Sequence, residues 1–61
     1  MERLAIYSES KATYWTDDYE DLGSMIHTLT KYKFSHKETM DGISDRGRDI
    51  IRVDYWKDDD K

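Results

Sequence analysis

The stretch Tyr14–Tyr32, YWTDDYEDLGSMIHTLTKY, is where the chain changes its period, and the fold turns on how it is read. Tyr19, Leu22, Met25, Ile26, Leu29 and Tyr32 recur at steps of three and four. That spacing lines one stripe of an α-helix and leaves the rest of the surface polar. Thr16 or Asp17 suits the N-cap, and Asp17 with Glu20 has the three-residue spacing of a capping box. Asp18, Glu20 and Asp21 fall in the first turn, where negative charge meets the positive end of the helix dipole; Lys31 and Lys33 fall in the last. The pattern predicts a helix over 17–33. Gly23 inside it costs about 1 kcal/mol relative to Ala, which suggests a close approach by another element.

Outward from the helix the period is two. RLAIYS (3–8) alternates Leu4 and Ile6 with Ala5 and Tyr7 and reads as a strand. SESK (8–11) is a polar turn, and ATYWT (12–16) is β-prone and placed to pair back as a hairpin, unless it is only a loop. After the helix, Phe34, His36, Glu38 and Met40 alternate with Ser35, Lys37 and Thr39 as in an exposed strand. DGISDRG (41–47) holds the two remaining glycines and reads as a loop. RDIIRVDYWK (48–57) carries Ile51, Val53 and Tyr55 on one face and Ile50, Arg52, Asp54 and Trp56 on the other. It is expected to form an antiparallel hairpin with the strand before it.

These elements make an α+β fold, ββαββ or βαββ: a small antiparallel sheet with one amphipathic helix packed on one face and the other face at least partly open. The expected core is Leu4, Ile6, Leu22, Met25, Ile26, Leu29, Ile51, Val53 and Tyr55, with some of Tyr19, Phe34 and Met40. Residues 1–57 are expected to form one domain and 58–61 a frayed, charged tail.

Size bounds the function. A chain of 61 residues buries only about 60% of its unfolded surface, and with no cysteine it has no disulfide to compensate. Charged residues at 39% lean toward disorder, but aromatic residues at 13% argue for a core built from rings. No apolar run approaches the ~18 residues of a membrane span, and the N-terminal stretch lacks the apolar core of a secretory signal, so a cytoplasmic location is expected.

Catalytic and cofactor motifs are missing. His27 and His36 are nine residues apart on different elements, and DGISD lacks the later ligands of a calcium loop, so no metal, cofactor or catalytic residue is assigned. Ser24, His27 and Asp21 lie close together on the helix, but so small a chain has little depth for a water-excluding site, and no enzyme is expected.

The charge is uneven. Residues 1–30 carry two cations against six acids, and residues 31–57 carry seven cations against five acids. KYKFSHK (31–37) interleaves bases with rings in the manner of a single-strand platform. Yet each basic residue of the final hairpin has an acid close by, Lys37 with Glu38, Arg46 with Asp45, Arg48 with Asp49 and Arg52 with Asp54, which weakens counterion-driven binding and makes nucleic acid a minor expectation. An acidic chain can also imitate the phosphate backbone and occupy a basic groove; the acids at 17–21 and 58–60 are the candidates for that alternative.

With one helix, only one sheet face can be covered, and exposed rings mark interaction sites. Trp, Tyr and Arg are the usual interface anchors. The expected protein contacts are Trp15, Asp17, Asp18, Asp21, Arg52 and Trp56, with the acids steering a larger partner that has a basic surface. A homodimer in which an edge strand pairs with its copy is the second class. In length, acidity and lack of cysteine and catalytic motifs the chain resembles the small proteins that bacteriophages make to bind and redirect a host enzyme. That resemblance implies a binding module that modulates or inhibits transcription, replication, division or proteolysis machinery without chemistry of its own.

Overall fold

Residues 12–16 form a strand rather than a loop. The computed structural model describes residues 2–58. Its elements are β1 (Glu2–Ser8), β2 (Lys11–Thr16), α1 (Tyr19–Lys31), β3 (Ser35–Ile43) and β4 (Asp49–Trp56), so the order is ββαββ. All neighbouring strands are antiparallel, and the sheet order is β1-β2-β4-β3. The chain leaves β2, crosses as α1, and returns as β3 two places away; β4 then fills the gap. The tail expected at 58–61 lies, apart from Asp58, outside the described residues.

The helix is shorter than the periodicity predicts, and its cap is displaced by one residue. Asp18 is the N-cap, its carboxylate accepting from the Glu20 backbone N–H at 3.0 Å. The Thr16 hydroxyl oxygen in turn accepts from the Asp18 N–H at 3.1 Å. Both expected caps, Thr16 and Asp17, therefore sit in the lead-in. At the other end Lys33 adopts φ +64°, the Phe34 N–H donates to the Leu29 carbonyl at 2.8 Å, and the Lys33 N–H donates to Thr30 at 3.1 Å. This is a Schellman closure, which normally favours glycine at the left-handed position. Phe34 is thereby turned back onto the core beside Leu29.

The register sorts side chains onto two faces. Ala12, Tyr14 and Thr16 of β2 lie opposite Tyr55, Val53 and Ile51 of β4, and all six face the helix. Leu22, Leu29 and Val53 form the buried centre, with Met25, Ile26, Phe34, Ile51 and Tyr55 packed around it. Phe34 meets Tyr55 edge to face at 5.6 Å.

Four expected core residues are not in it. Leu4, Ile6, Tyr19 and Met40 are 51%, 69%, 61% and 62% exposed. For Leu4 and Ile6 the reason is geometric. A helix is about 10 Å across, whereas four strands spaced about 4.8 Å apart are wider. With α1 in contact with β2 and β3 and centred over β4, the helix-side residues of β1 lie beyond its edge.

The stretch 41–47 is only partly a loop. β3 runs on to Ile43 through an irregularity after Met40, where Gly42 adopts φ +118°. The turn proper is organised by Ser44. Its hydroxyl oxygen accepts from the backbone N–H groups of Arg46 and Arg48 at 3.2 and 3.3 Å, and its own N–H donates to the Arg48 carbonyl.

Gly23 is not a point of close approach, because nothing lies within 4 Å of where a Cβ would stand. Gly23→Ala is therefore expected to stabilise the fold by about 0.5–1 kcal/mol through helix propensity alone. Urea unfolding of the two chains measures this, and a loss of stability would contradict the open environment.

Candidate uncovered sheet face

The face away from α1 carries alternate residues of all four strands. The register groups them in rows across the sheet: Arg3, Trp15, Arg52 and Thr39; then Ala5, Thr13, Asp54 and Lys37; then Lys11, Trp56 and Ser35. No element of the described chain covers these rows.

The first row is held by Trp15. The Arg3 guanidinium lies over its ring at 4.4 Å and that of Arg52 at 6.0 Å. The indole N–H donates to Asp41 Oδ2 at 2.9 Å. One side chain thus links β1, β2, β4 and β3. A cation over an indole face contributes about 0.5–1 kcal/mol when exposed and more when desolvated. Trp15 is partly buried.

The second row is held by Asp54. Its Oδ1 accepts from the Thr13 hydroxyl at 2.6 Å and from Arg52 Nε at 3.1 Å. Thr13 is fully buried although no helix lies above it. The Thr13 bond, and after it the Arg52 guanidinium, lower the Asp54 pKa from its ordinary value against the opposing effect of burial.

The third row is different. Trp56 lies between Lys11 and Ser35, and it shares an open groove with Tyr7, Ser8, Ser10, Lys37 and Arg52. Tyr7 is 56% exposed and sits at the irregularity between Ile6 and Ser8. Among the described residues neither the Lys11 nor the Lys37 ammonium has a carboxylate in ion-pair contact; the Arg52–Asp54 pair is the one ion pair of this face. The groove, which Asp54 and Lys57 also line, therefore offers two rings and three ammonium groups beside a guanidinium and one carboxylate, which Lys11 helps to hold below its ordinary pKa.

The six residues singled out from sequence divide. Trp15, Arg52 and Trp56 share the uncovered face, as alternation predicts for Arg52 and Trp56. Asp17, Asp18 and Asp21 lie elsewhere, at the start of α1 and beside the Ser44 turn. Asp17 is 2% exposed and lines a small recess with Ser44 and Arg46. Asp18 caps the helix. Asp21 Oδ2 accepts from the Tyr14 hydroxyl at 2.5 Å, and burial together with that bond raises the Tyr14 pKa. The acids thus serve the β2–α1 junction, and Tyr14 points to the helix side. Sequence reading missed Tyr7, Lys11 and Lys37. They come together only through the strand order, which no local pattern encodes.

Among the described residues no group of three or more His, Asp or Glu side chains is placed to hold a metal ion, and no helix is long and apolar enough to cross a membrane. No protein-family model matches the chain, and no curated protein or solved structure matches it.

The lowered Asp54 pKa has a sign that can be checked. A carboxylate held below its unfolded value of about 3.9 contributes stability that is complete above that pH and disappears as pH falls through the folded value. In that acid window the native chain binds fewer protons than the unfolded one, so stability rises with pH. Asp54→Asn should flatten the acid limb of stability against pH relative to wild type, measured by urea midpoints from neutral pH downward. Superimposable acid limbs would show that Asp54 contributes nothing there.

Proposed function

We propose that this chain is a non-catalytic protein-binding module that grips an acidic surface of a larger protein through its uncovered sheet face. The observation that carries the reading is the third row. Trp56, partly buried, and the exposed Tyr7 line an open groove with Lys11, Lys37 and Asp54, and among the described residues neither ammonium is in ion-pair contact with a carboxylate. Aromatic and arginine side chains supply most of the binding energy in protein interfaces, and complementary charge around them sets on-rate and specificity. In this arrangement Trp56 is the anchor, Tyr7 and Arg52 flank it, and the two lysines steer. Trp15 stiffens the platform.

The reading reverses the charge first expected of the partner. Acids at 17, 18 and 21 suggest a basic partner, but these three groups are occupied in the β2–α1 junction, and the tryptophans stand among cations. The acidic-mimic alternative draws no support from the same groups, since Asp17 is buried. Action by occupancy, occluding or redirecting the partner, follows from a contact surface without a reactive centre. That the partner is a host enzyme rests on the resemblance to phage-encoded modulators.

One observation favours a second reading. Rings interleaved with lysines along a groove are also what single-stranded nucleic acid binds, through stacking and backbone neutralisation. The two readings differ in salt dependence, which is steep when several phosphates release counterions.

The test is affinity capture by the folded chain from nuclease-treated lysate, repeated with Trp56→Ala and with the double variant Lys11→Glu, Lys37→Glu, followed by affinity measurement on the retained protein. Trp56→Ala should weaken binding by about 2 kcal/mol or more, as loss of a central anchor does. The charge reversal should abolish capture. Equal retention by wild type and by both folded variants would remove the uncovered face as the contact surface. Steeply salt-dependent binding to an oligonucleotide, lost in the same variants, would shift the assignment to nucleic acid.

A further inference from the structure

β1 and β3 are the two edges of the sheet, and they are not equally protected. Exposed edges offer unpaired backbone N–H and C=O groups, and folded proteins usually guard them with charges, bulges and glycine-broken pairing. β3 is guarded in this way. It carries Lys37, Glu38 and Asp41 along its length, and its ladder is interrupted between Met40 and Ile43 at Gly42. β1 is guarded only at its ends. Its charges, Glu2 and Arg3, stand at its start, its ladder irregularity lies between Ile6 and Ser8, and Leu4-Ala5-Ile6 runs between them without a charge or a break.

β1 also carries the least explained apolar surface of the molecule. Leu4 and Ile6 lie on the helix side of the sheet opposite Tyr14 and Ala12, but they are 51% and 69% exposed because α1 stops short of them. An edge unguarded along its middle and an uncovered apolar strip coincide on one strand.

We propose that β1 is the interface with a second copy of this chain, paired antiparallel about a two-fold axis through Ala5. The sequence of the edge selects this occupant. A two-fold at Ala5 sets Leu4 against Ile6 of the second copy, Ile6 against its Leu4, and Arg3 against its Tyr7. Apolar meets apolar on the helix side, a guanidinium meets a ring on the other, and no like charges are opposed. Shifting the axis to Leu4 would set Glu2 against Ile6, and shifting it to Ile6 would set Leu4 against Ser8, so both shifted registers lose the match. An isologous contact of this kind closes at two copies.

The product is an eight-stranded sheet with both helices on one side, and the uncovered faces join into one. The Tyr7-lined groove of each copy then lies beside the dyad, next to Arg3 of the other. The proposal does not depend on what that face binds. An edge of seven residues, about 23 Å long, buries less than the roughly 800 Å² per partner of a standard interface. Association is accordingly expected to be reversible and visible as a dependence on concentration.

Sedimentation equilibrium of the whole chain from micromolar to sub-millimolar concentration tests this. The mass should rise toward that of two copies. Leu4→Glu and Ile6→Lys, both at exposed positions that the fold tolerates, should each weaken association roughly tenfold or more, through loss of two apolar cross-strand pairs. Because position 4 faces position 6 of the other copy, an equal mixture of the two variants should associate more strongly than either alone. Met40→Lys, on the guarded edge and equally exposed, should leave association unchanged. A wild-type chain that stays at one copy throughout, or association abolished by Met40→Lys rather than by the β1 variants, would overturn the proposal. Association of the β1 variants without any gain on mixing would overturn the register.

Discussion

A single helix laid on four strands cannot cover them, and the rest of the molecule follows from that mismatch. Where α1 lies, over β2, β4 and β3, the chain makes an ordinary core of Leu22, Leu29 and Val53 with rings around it. Where it does not lie, the chain needs other means of order. On the far face these are polar: Trp15 clasped between two guanidinium groups and bonded to Asp41, and Asp54 bonded to Thr13 and Arg52. Such contacts hold strands together while leaving a wet surface, and a small domain with one apolar layer has few other ways to stiffen its second side. At β1 neither device operates on the helix side, and Leu4 and Ile6 stay exposed.

The charges sort along the same division. A net charge of −4 describes the composition and conceals the arrangement. The acids of Asp17–Asp21 are gathered at the helix start, where the dipole, the cap and the Tyr14 hydroxyl use them. Arg3, Lys11, Lys37 and Arg52 are gathered on the uncovered face, where Asp41 and Asp54 are already engaged. A chain that is acidic overall therefore carries a cationic, ring-bearing side.

Periodicity made the elements legible. The stripe from Leu22 to Leu29, and the alternation of Ile51, Val53 and Tyr55 against Arg52, Asp54 and Trp56, depend only on local geometry, and both stand in the structure. The even positions of β4 were legible as the uncovered face for the same reason. What sequence could not supply is which strands lie side by side. The order β1-β2-β4-β3 puts Lys11 and Lys37 on either side of the Trp56 strand, although they are far apart in the chain. It also puts β1 outside the reach of α1, so Leu4 and Ile6, apolar and in phase with the core, are left in solvent. Trp15 and Trp56 look alike in sequence. They differ because Trp15 has an arginine opposite it on both neighbouring strands, whereas Trp56 has Lys11 and Ser35. The cap moved from Thr16 or Asp17 to Asp18 because three consecutive residues could each serve, and the local sequence ranks them poorly.

The central claim is that, although both tryptophans are partly buried, Trp56 lines an open groove among cations whereas Trp15 is clasped by two guanidinium groups. Collisional quenching of tryptophan fluorescence measures both properties at once, using Trp15→Phe to isolate Trp56 and Trp56→Phe to isolate Trp15. Trp56 should be quenched more by iodide than by caesium once each is referred to free tryptophanamide, and Trp15 should be the less accessible of the two. A Trp56 signal that neither ion quenches, or that caesium quenches more than iodide, would contradict it.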